Sequence, residues 1–214
     1  MKNIVIFGDS YSTYKGYIPE GWASYYSGLN ERQPDLDSVE KTWWKMLMKE
    51  GGYNLVHNNS WSGSTICFTG YNGFDASKGN SFICRFENLL ENGFFKENKI
   101  DCVLVFGATN DNWANAPIGE LKFGGVTHED RFNVLPGISH FVERLVTELT
   151  ETKIFFIINT ELKEVITDGI KSICDHYGVQ TVELENISKI NGHPDELGMV
   201  QIKDQVLRVI RDQI

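Results

Sequence analysis

The sequence has few features of secreted, membrane-spanning or metal-binding proteins. Only four of its 214 residues are cysteines, and none are paired at metal-site spacing, which favours buried free thiols in a reducing compartment. No apolar run approaches the ~20 residues that span a bilayer. No apolar segment with a cleavage site precedes the first strand, as it does in a signal peptide. We therefore expect a cytoplasmic protein.

Charge and missing motifs exclude further classes. The net charge is -9 with no stripe of Lys or Arg, so neither nucleic acid nor a membrane surface is an expected partner. The chain lacks a Gly-x-Gly-x-x-Gly loop, a Walker loop and a Gly-x-Ser-x-Gly elbow, which argues against nucleotide binding and an ordinary α/β-hydrolase. Its length favours one domain over residues 1–214 and leaves the oligomeric state open.

Apolar patterns alternate between strand-like and helix-like along the chain. Short, nearly continuous apolar runs predict five buried strands at Ile4–Phe7, Leu55–His57, Cys102–Phe106, Ile154–Ile158 and Val179–Leu184. Helical spacing predicts helices around 42–49, 83–90, 138–149, 166–177 and 199–209. Strands that alternate with helices imply a parallel sheet with right-handed crossovers.

Four polar positions follow predicted strands. Ser10 follows the first strand, Gly63 lies in the loop after the second, Asn110 follows the third and His193 follows the fifth. Because functional sites of such sheets lie outside the carboxyl ends of the strands, we expect these four residues at one edge.

This set supplies the parts of an ester-cleaving site. A serine hydroxyl is a weak nucleophile, so Ser10 needs an adjacent base, and His193 can accept and return its proton. The N–H groups of Ser10 and Gly63 and the amide of Asn110 are the candidate donors to a tetrahedral oxyanion. Pro194 follows the histidine and is typical of a first helical position, which predicts His193 as an N-cap that the helix dipole keeps neutral at pH 7.

Two long connections leave the same edge, Tyr11–Glu40 and Trp113–Arg131. Loops of this length in a compact domain are usually functional, and we expect both to form pocket walls. Asp9, Tyr11 and Trp113 are the candidate substrate-binding residues. Asp9 has the alternative role of fixing the turn by hydrogen bonding.

Four sequence blocks resemble those of the SGNH hydrolase family, also called GDSL esterases and lipases. The blocks are Gly8-Asp9-Ser10-Tyr11, Ser62-Gly63-Ser64, Gly107–Asp111 and His193-Pro194. The resemblance places the family's four name-giving residues on Ser10, Gly63, Asn110 and His193. It implies a flavodoxin-like three-layer α/β/α sandwich with strand order 2-1-3-4-5. It also implies hydrolysis of esters, such as acetyl esters of carbohydrates, through an acyl-enzyme and without a metal or organic cofactor.

The chain departs from the family at the residue that orients the histidine. The family usually has Asp three positions earlier, where this chain has Ile190. The side chain of Asn191, a main-chain carbonyl or an acid from elsewhere could accept the Nδ1 proton, and we favour Asn191 or a main-chain carbonyl. The missing acid also keeps a non-catalytic ligand-binding protein open, and the same Ser-His pair would serve an acyltransferase.

Overall fold

The protein is built around a central five-stranded parallel sheet. The computed structural model describes residues 1–31, 33 and 35–214. The strand order is β2-β1-β3-β4-β5, which confirms the predicted order. The strands are β1 Asn3–Gly8, β2 Asn54–Ser60, β3 Cys102–Gly107, β4 Lys153–Ile158 and β5 Gln180–Glu183. Each prediction located its strand, and β2 extends three residues beyond the expected end, to Ser60.

Helices cover both faces of the sheet, as the α/β/α sandwich requires. The helices are α1 Trp43–Gly51, α2 Phe82–Glu91, α3 Phe94–Glu97, α4 Thr109–Trp113, α5 Val134–Glu148, α6 Glu164–Tyr177 and α7 Glu196–Ile210. Apolar side chains of α1 and α7 join one core cluster, and those of α2, α5 and α6 join the other.

The alternation of side chains along β1 connects the sheet to both cores. Ile4 and Ile6 pack towards α1 and α7, whereas Val5 and Phe7 pack towards α2, α5 and α6. Successive strand residues point to opposite faces, so a strand covered on both sides is apolar at every position. All four side chains are fully buried, which explains why the run was recognisable in the sequence.

A second, two-stranded sheet corrects the expectation for His193. The strands β6 Lys189–Ile190 and β7 His193–Pro194 form an antiparallel hairpin. Its turn is Asn191-Gly192, with φ of 51° and 76°, and Asn-Gly is the preferred sequence of a two-residue turn with positive φ at both positions. The prediction of His193 as an N-cap is wrong, because α7 begins at Glu196 and Asp195 caps it by accepting the Gly198 N–H.

The two long connections differ in where they lie. The first, Tyr11–Glu40, packs Tyr25 and Tyr26 against the His193 ring, while its positions 32 and 34 lie outside the described residues. The second leaves the carboxyl edge of the sheet after Trp113 and runs along the helices, so that Phe123 stacks on His176 near the end of α6. Only its beginning fits the expectation of a pocket wall.

Candidate active site

A tight turn at the end of β1 carries Ser10. Residues Ser10–Ser12 form one 3-10 turn, and the Asp9 carboxylate accepts the Tyr11 N–H at 3.0 Å. Gly8 has no room for a side chain, because a Cβ there would lie 2.4 Å from the Ser60 hydroxyl. The close approach of β2 and the capped turn together hold the Ser10 hydroxyl at the carboxyl edge of the sheet.

The His193 imidazole lies directly against Ser10. Its Nε2 is 2.9 Å from the Ser10 Oγ, and its Nδ1 is 3.2 Å from the main-chain carbonyl oxygen of Asn191. A carbonyl oxygen can only accept, so the Nδ1 contact requires the ring proton on Nδ1. Nε2 then has a free lone pair for the serine hydroxyl, which is the tautomer that a general base needs.

Three hydrogen bonds fix the main chain on either side of His193. The Tyr11 hydroxyl donates to the Gly192 carbonyl at 2.6 Å, the Tyr26 hydroxyl to the Pro194 carbonyl at 2.8 Å and the Gln33 amide to the same carbonyl at 2.7 Å. All three donors come from the turn and loop that follow β1. The Ser10 hydroxyl and the imidazole are thus held by one segment, although 183 residues separate Ser10 from His193.

Aromatic rings surround the imidazole. Tyr25 stacks on it with a centroid distance of 3.5 Å and an interplanar angle of 5°. Tyr11 and Trp113 contact it at steeper angles, with centroid distances of 5.3 and 5.6 Å. Only 8% of His193 is exposed, so little of the ring remains open to water.

Two main-chain N–H groups are suited to an oxyanion. Within the residues that the structure describes, the N–H groups of Ser10 and Gly63 make no main-chain hydrogen bond, whereas those of Ser62 and Ser64 donate to Ala23 and Trp61. Gly63 has a φ of 82° and open space where a Cβ would be. Glycine is favoured at this position because the backbone is left-handed, and not because a side chain would clash.

Asn110 lies in the first turn of α4 with its amide firmly oriented. Its Nδ2 donates to the Ser64 carbonyl at 3.0 Å, and its Oδ1 accepts the Tyr71 hydroxyl at 2.7 Å. An amide nitrogen has two hydrogens, so one remains for an oxyanion. Ala108, the residue before α4, has a φ of 70°. This conformation is unfavourable for alanine and turns the chain sharply from β3 into α4.

Two buried charged side chains brace these loops, and neither was expected from the sequence. The Arg85 guanidinium donates to carbonyl oxygens of Gly8 and Asn59 and to the Ser64 hydroxyl. The Asp111 carboxylate accepts the N–H groups of Ile66 and Cys67. Arg85 thus joins the Ser10 turn to the Gly63 loop, and Asp111 joins that loop to α4.

The three residues predicted to contact substrate differ in exposure. Asp9 and Tyr11 are both 0% exposed, so they act from within the protein, on the turn and on Gly192 respectively. Burial raises the pKa of Asp9 from 3.8 to about 7, partly offset by the Tyr11 N–H. Trp113 is 37% exposed and stays a candidate for substrate contact. Tyr71, which is 40% exposed and donates to Asn110, is a second candidate.

Two kinds of feature are absent from the residues that the structure describes. No three or more His, Cys, Asp or Glu side chains among them form a group that could hold a metal ion. Across the same residues, no helix combines the length and the apolar character that crossing a bilayer requires.

The parallel sheet of order 2-1-3-4-5 with helices on both faces is the α/β/α sandwich of SGNH hydrolases. The family model of GDSL-like lipases and acylhydrolases matches residues 2–210, and the chain belongs to that family. A search of the curated proteins gave no match.

Solved structures agree with this assignment. The chain is 39% identical to a proposed GDSL-like lipase from Bacteroides ovatus, with a TM-score of 0.91 and coverage of 100% of this chain and 99% of that one. A second proposed GDSL-like lipase, from Bacteroides uniformis, is also 39% identical, with a TM-score of 0.91 and coverage of 99% and 96%. An acetyl xylan esterase from Butyrivibrio proteoclasticus shares the fold at 17% identity, with a TM-score of 0.65 and coverage of 99% and 64%.

Proposed function

We propose that the protein is a serine esterase in which Ser10 and His193 form a catalytic dyad. The observation that carries this proposal is the 2.9 Å contact between the Ser10 Oγ and the His193 Nε2, with Nδ1 facing the Asn191 carbonyl. A base within hydrogen-bond reach of a hydroxyl, itself oriented by a third group, is the arrangement that activates a serine.

In the first half-reaction, the Ser10 Oγ bonds to the ester carbonyl carbon while its proton passes to Nε2. The N–H groups of Ser10 and Gly63 and the Asn110 amide stabilise the resulting oxyanion. As the C–O bond to the alcohol breaks, Nε2 returns the proton to the departing oxygen. In the second half-reaction, water gives a proton to Nε2 while its oxygen bonds to the acyl carbon. The bond from that carbon to the Ser10 Oγ then breaks, and Nε2 returns the proton to Oγ as the acid leaves.

We propose short acyl groups, such as acetyl on a carbohydrate, as the substrates. Support comes from the aromatic side chains near Ser10, because exposed rings such as Trp113 and Tyr71 can pack against a sugar. The fold shared with an acetyl xylan esterase is consistent with this choice, although at such low identity the likeness concerns the fold alone.

Hydrolysis of p-nitrophenyl esters of increasing chain length tests the proposal. We expect activity that is highest for acetate and falls by roughly 10⁴-fold or more in Ser10→Ala and in His193→Ala. Ser172→Ala, on the exposed surface of α6, is the matched control and should keep full activity. Absence of hydrolysis at every chain length, or full activity in Ser10→Ala, contradicts the proposal.

An acyltransferase would use the same dyad with an alcohol in place of water. Product analysis with acetylated donors and free sugar acceptors separates the two reactions. We expect free acetate as the main product. Acetylated acceptor as the main product would assign the dyad to acyl transfer.

A further inference from the structure

Arg85 is a buried guanidinium whose hydrogen-bond acceptors are all uncharged. It lies on α2 and is 1% exposed. Its Nε donates to the Asn80 carbonyl at 3.1 Å, and its Nη1 donates to the carbonyl and side-chain oxygens of Asn59. Its Nη2 donates to the Gly8 carbonyl at 3.2 Å and to the Ser64 hydroxyl at 3.1 Å. A guanidinium has five N–H donors, and these five acceptors use all of them.

The charge of Arg85 has no carboxylate in contact with it. Across the described residues, the ion pairs do not include Arg85. Asp9 acts on the guanidinium at longer range, and burial raises the pKa of Asp9 to about 7, so this carboxyl offsets only part of the charge at neutral pH. A buried cation of this kind is costly by itself, and it is stabilised when a negative charge forms nearby.

The acceptors of the guanidinium belong to the segments that carry the candidate oxyanion donors. Gly8 precedes Ser10 by two residues, and Ser64 directly follows Gly63. The Ser64 carbonyl also accepts the Asn110 Nδ2 at 3.0 Å. Each of the three donors therefore lies within two residues, or one hydrogen bond, of a residue that the guanidinium holds.

The positive charge lies close enough to act on an oxyanion. Nη2 is 3.2 Å from the Gly8 carbonyl oxygen. Two residues of chain span at most about 7 Å, so the guanidinium is roughly 10 Å from an anion at the Ser10 N–H. Opposite unit charges at that distance, with an effective dielectric constant of about 20, change a rate about 10-fold. An ester carbonyl is uncharged before attack, so this effect appears in kcat and not in KM.

We propose that Arg85 is a positioning residue of the oxyanion site. Its five hydrogen bonds fix the Ser10 turn against the Gly63 loop, and its positive charge stabilises the oxyanion that forms during ester cleavage. This proposal rests on the serine esterase mechanism of the proposed function. It assigns part of the oxyanion stabilisation to a charge outside the three donors.

A purely structural role of Arg85 is the alternative. The guanidinium also packs over aromatic rings, 4.3 Å from the ring centroid of Phe82 and 5.5 Å from that of Trp22. If packing and bracing were its whole role, an uncharged variant would lose stability while the protein that still folds kept the wild-type kcat. The kcat of folded protein and the affinity for a charged tetrahedral mimic therefore separate the two roles.

Hydrolysis of p-nitrophenyl acetate by Arg85→Gln and Arg85→Lys tests the proposal, with folding checked by circular dichroism. Arg85→Gln removes both the charge and the guanidinium fork, and we expect kcat to fall about 30- to 300-fold with KM within about threefold. Arg85→Lys keeps the charge and loses the fork, so kcat should fall only about 3- to 30-fold. Arg85→Met is the second uncharged variant if the glutamine variant does not fold, and the same loss of kcat as in Arg85→Gln is expected.

Phenylboronic acid gives the second readout. It bonds reversibly to an activated serine Oγ as a tetrahedral boronate anion, which mimics the charge and shape of the intermediate. We expect its inhibition constant to rise by about the same factor as kcat/KM falls in each Arg85 variant.

Two variants serve as controls. Arg144→Gln removes a partly exposed guanidinium of α5 that pairs with Glu87 and Glu148. Leu145→Ala weakens the buried core without changing a charge. Both should keep kcat within about twofold of the wild type, and both should keep their affinity for phenylboronic acid.

The outcomes separate the role of Arg85 from the proposed function. A kcat within about twofold of the wild type in any folded Arg85 variant overturns the proposal, and so does a loss of kcat without weaker binding of phenylboronic acid. Where Ser10→Ala abolishes hydrolysis, either result leaves the proposed function standing. Full activity in Ser10→Ala overturns the proposed function, and with it the oxyanion that Arg85 would stabilise.

Discussion

The buried carboxyl of Asp9 should make the stability of the protein depend on pH. It lies beneath the Ser10 turn, is 0% exposed and accepts the Tyr11 N–H through one oxygen. Burial disfavours its ionised form and raises its pKa from 3.8 to about 7. The perturbation that isolates this effect is Asp9→Asn, because an amide keeps the acceptor oxygen and does not titrate.

Proton linkage gives the sign and size of the effect of Asp9 on the free energy of unfolding. Below pH 3.8 the carboxyl is protonated in both the folded and the unfolded chain. Between pH 4 and 7 only the unfolded chain loses the proton, so the free energy of unfolding falls by about 1.4 kcal/mol per pH unit. Over the whole interval, Asp9 therefore costs the wild type roughly 4 kcal/mol, and above the folded pKa the loss is complete.

Urea unfolding at half-unit steps from pH 4 to 8 measures this difference. Relative to Asp9→Asn, the wild type should lose stability as the pH rises to about 7. Above that pH, the difference in free energy of unfolding between the two proteins should stay constant. Asp168→Asn, at an exposed position of α6, controls for the loss of one carboxylate. If the free energies of unfolding of the wild type and Asp9→Asn change with pH in the same way throughout, the pKa of the buried carboxyl is not raised.

Other predictions concern the groups that hold the site together. Arg85→Lys should lower the free energy of unfolding by about 3 kcal/mol in urea titrations, because an ammonium leaves some of the buried acceptors unpaired; an effect no larger than that of the exposed Arg208→Lys contradicts this. Asn191→Gly should keep kcat within about threefold, since glycine suits the φ of 51° and retains the carbonyl that faces the imidazole; a loss above about tenfold would assign the orientation to the side chain. Tyr71→Phe should lower kcat roughly 2- to 12-fold with little change in KM, because it removes the donor to Asn110; an unchanged kcat is evidence against that support.

The strands could be predicted because a strand that is buried on both faces is apolar at nearly every position. β1 and β3 are apolar at every interior position. The alternation with helices predicts a parallel sheet, and the strand order comes from the resemblance to a known family. Because functional sites of parallel sheets lie outside the carboxyl ends of the strands, the sequence also predicts that the candidate residues share one edge.

The setting of His193 was missed because two local signals compete there. Pro194 and the acidic residues after it are typical of a helix start, and α7 does begin close by, at Glu196. Asn191-Gly192 is an equally specific hairpin signal, and it prevails because the short strands pair Ile190 with His193. The family's usual aspartate position thus lies directly opposite the histidine in this hairpin.

Supporting residues could not be found from spacing. Arg85 reaches the Gly8 carbonyl across 77 positions, and Tyr71 reaches Asn110 across 39. Tyr25 belongs to a long loop with little regular structure. Contacts of this kind depend on how loops pack at the edge of the sheet, and they leave no periodic pattern in the chain.

The central claim is that the Ser10 hydroxyl is the nucleophile activated by His193. Fluorophosphonate labelling followed by peptide mass spectrometry tests it most directly, because such a reagent bonds covalently to an activated serine. We expect one label per chain, on Ser10, and none in His193→Ala. Labelling of a different serine, or no labelling of a protein that hydrolyses esters, would contradict it.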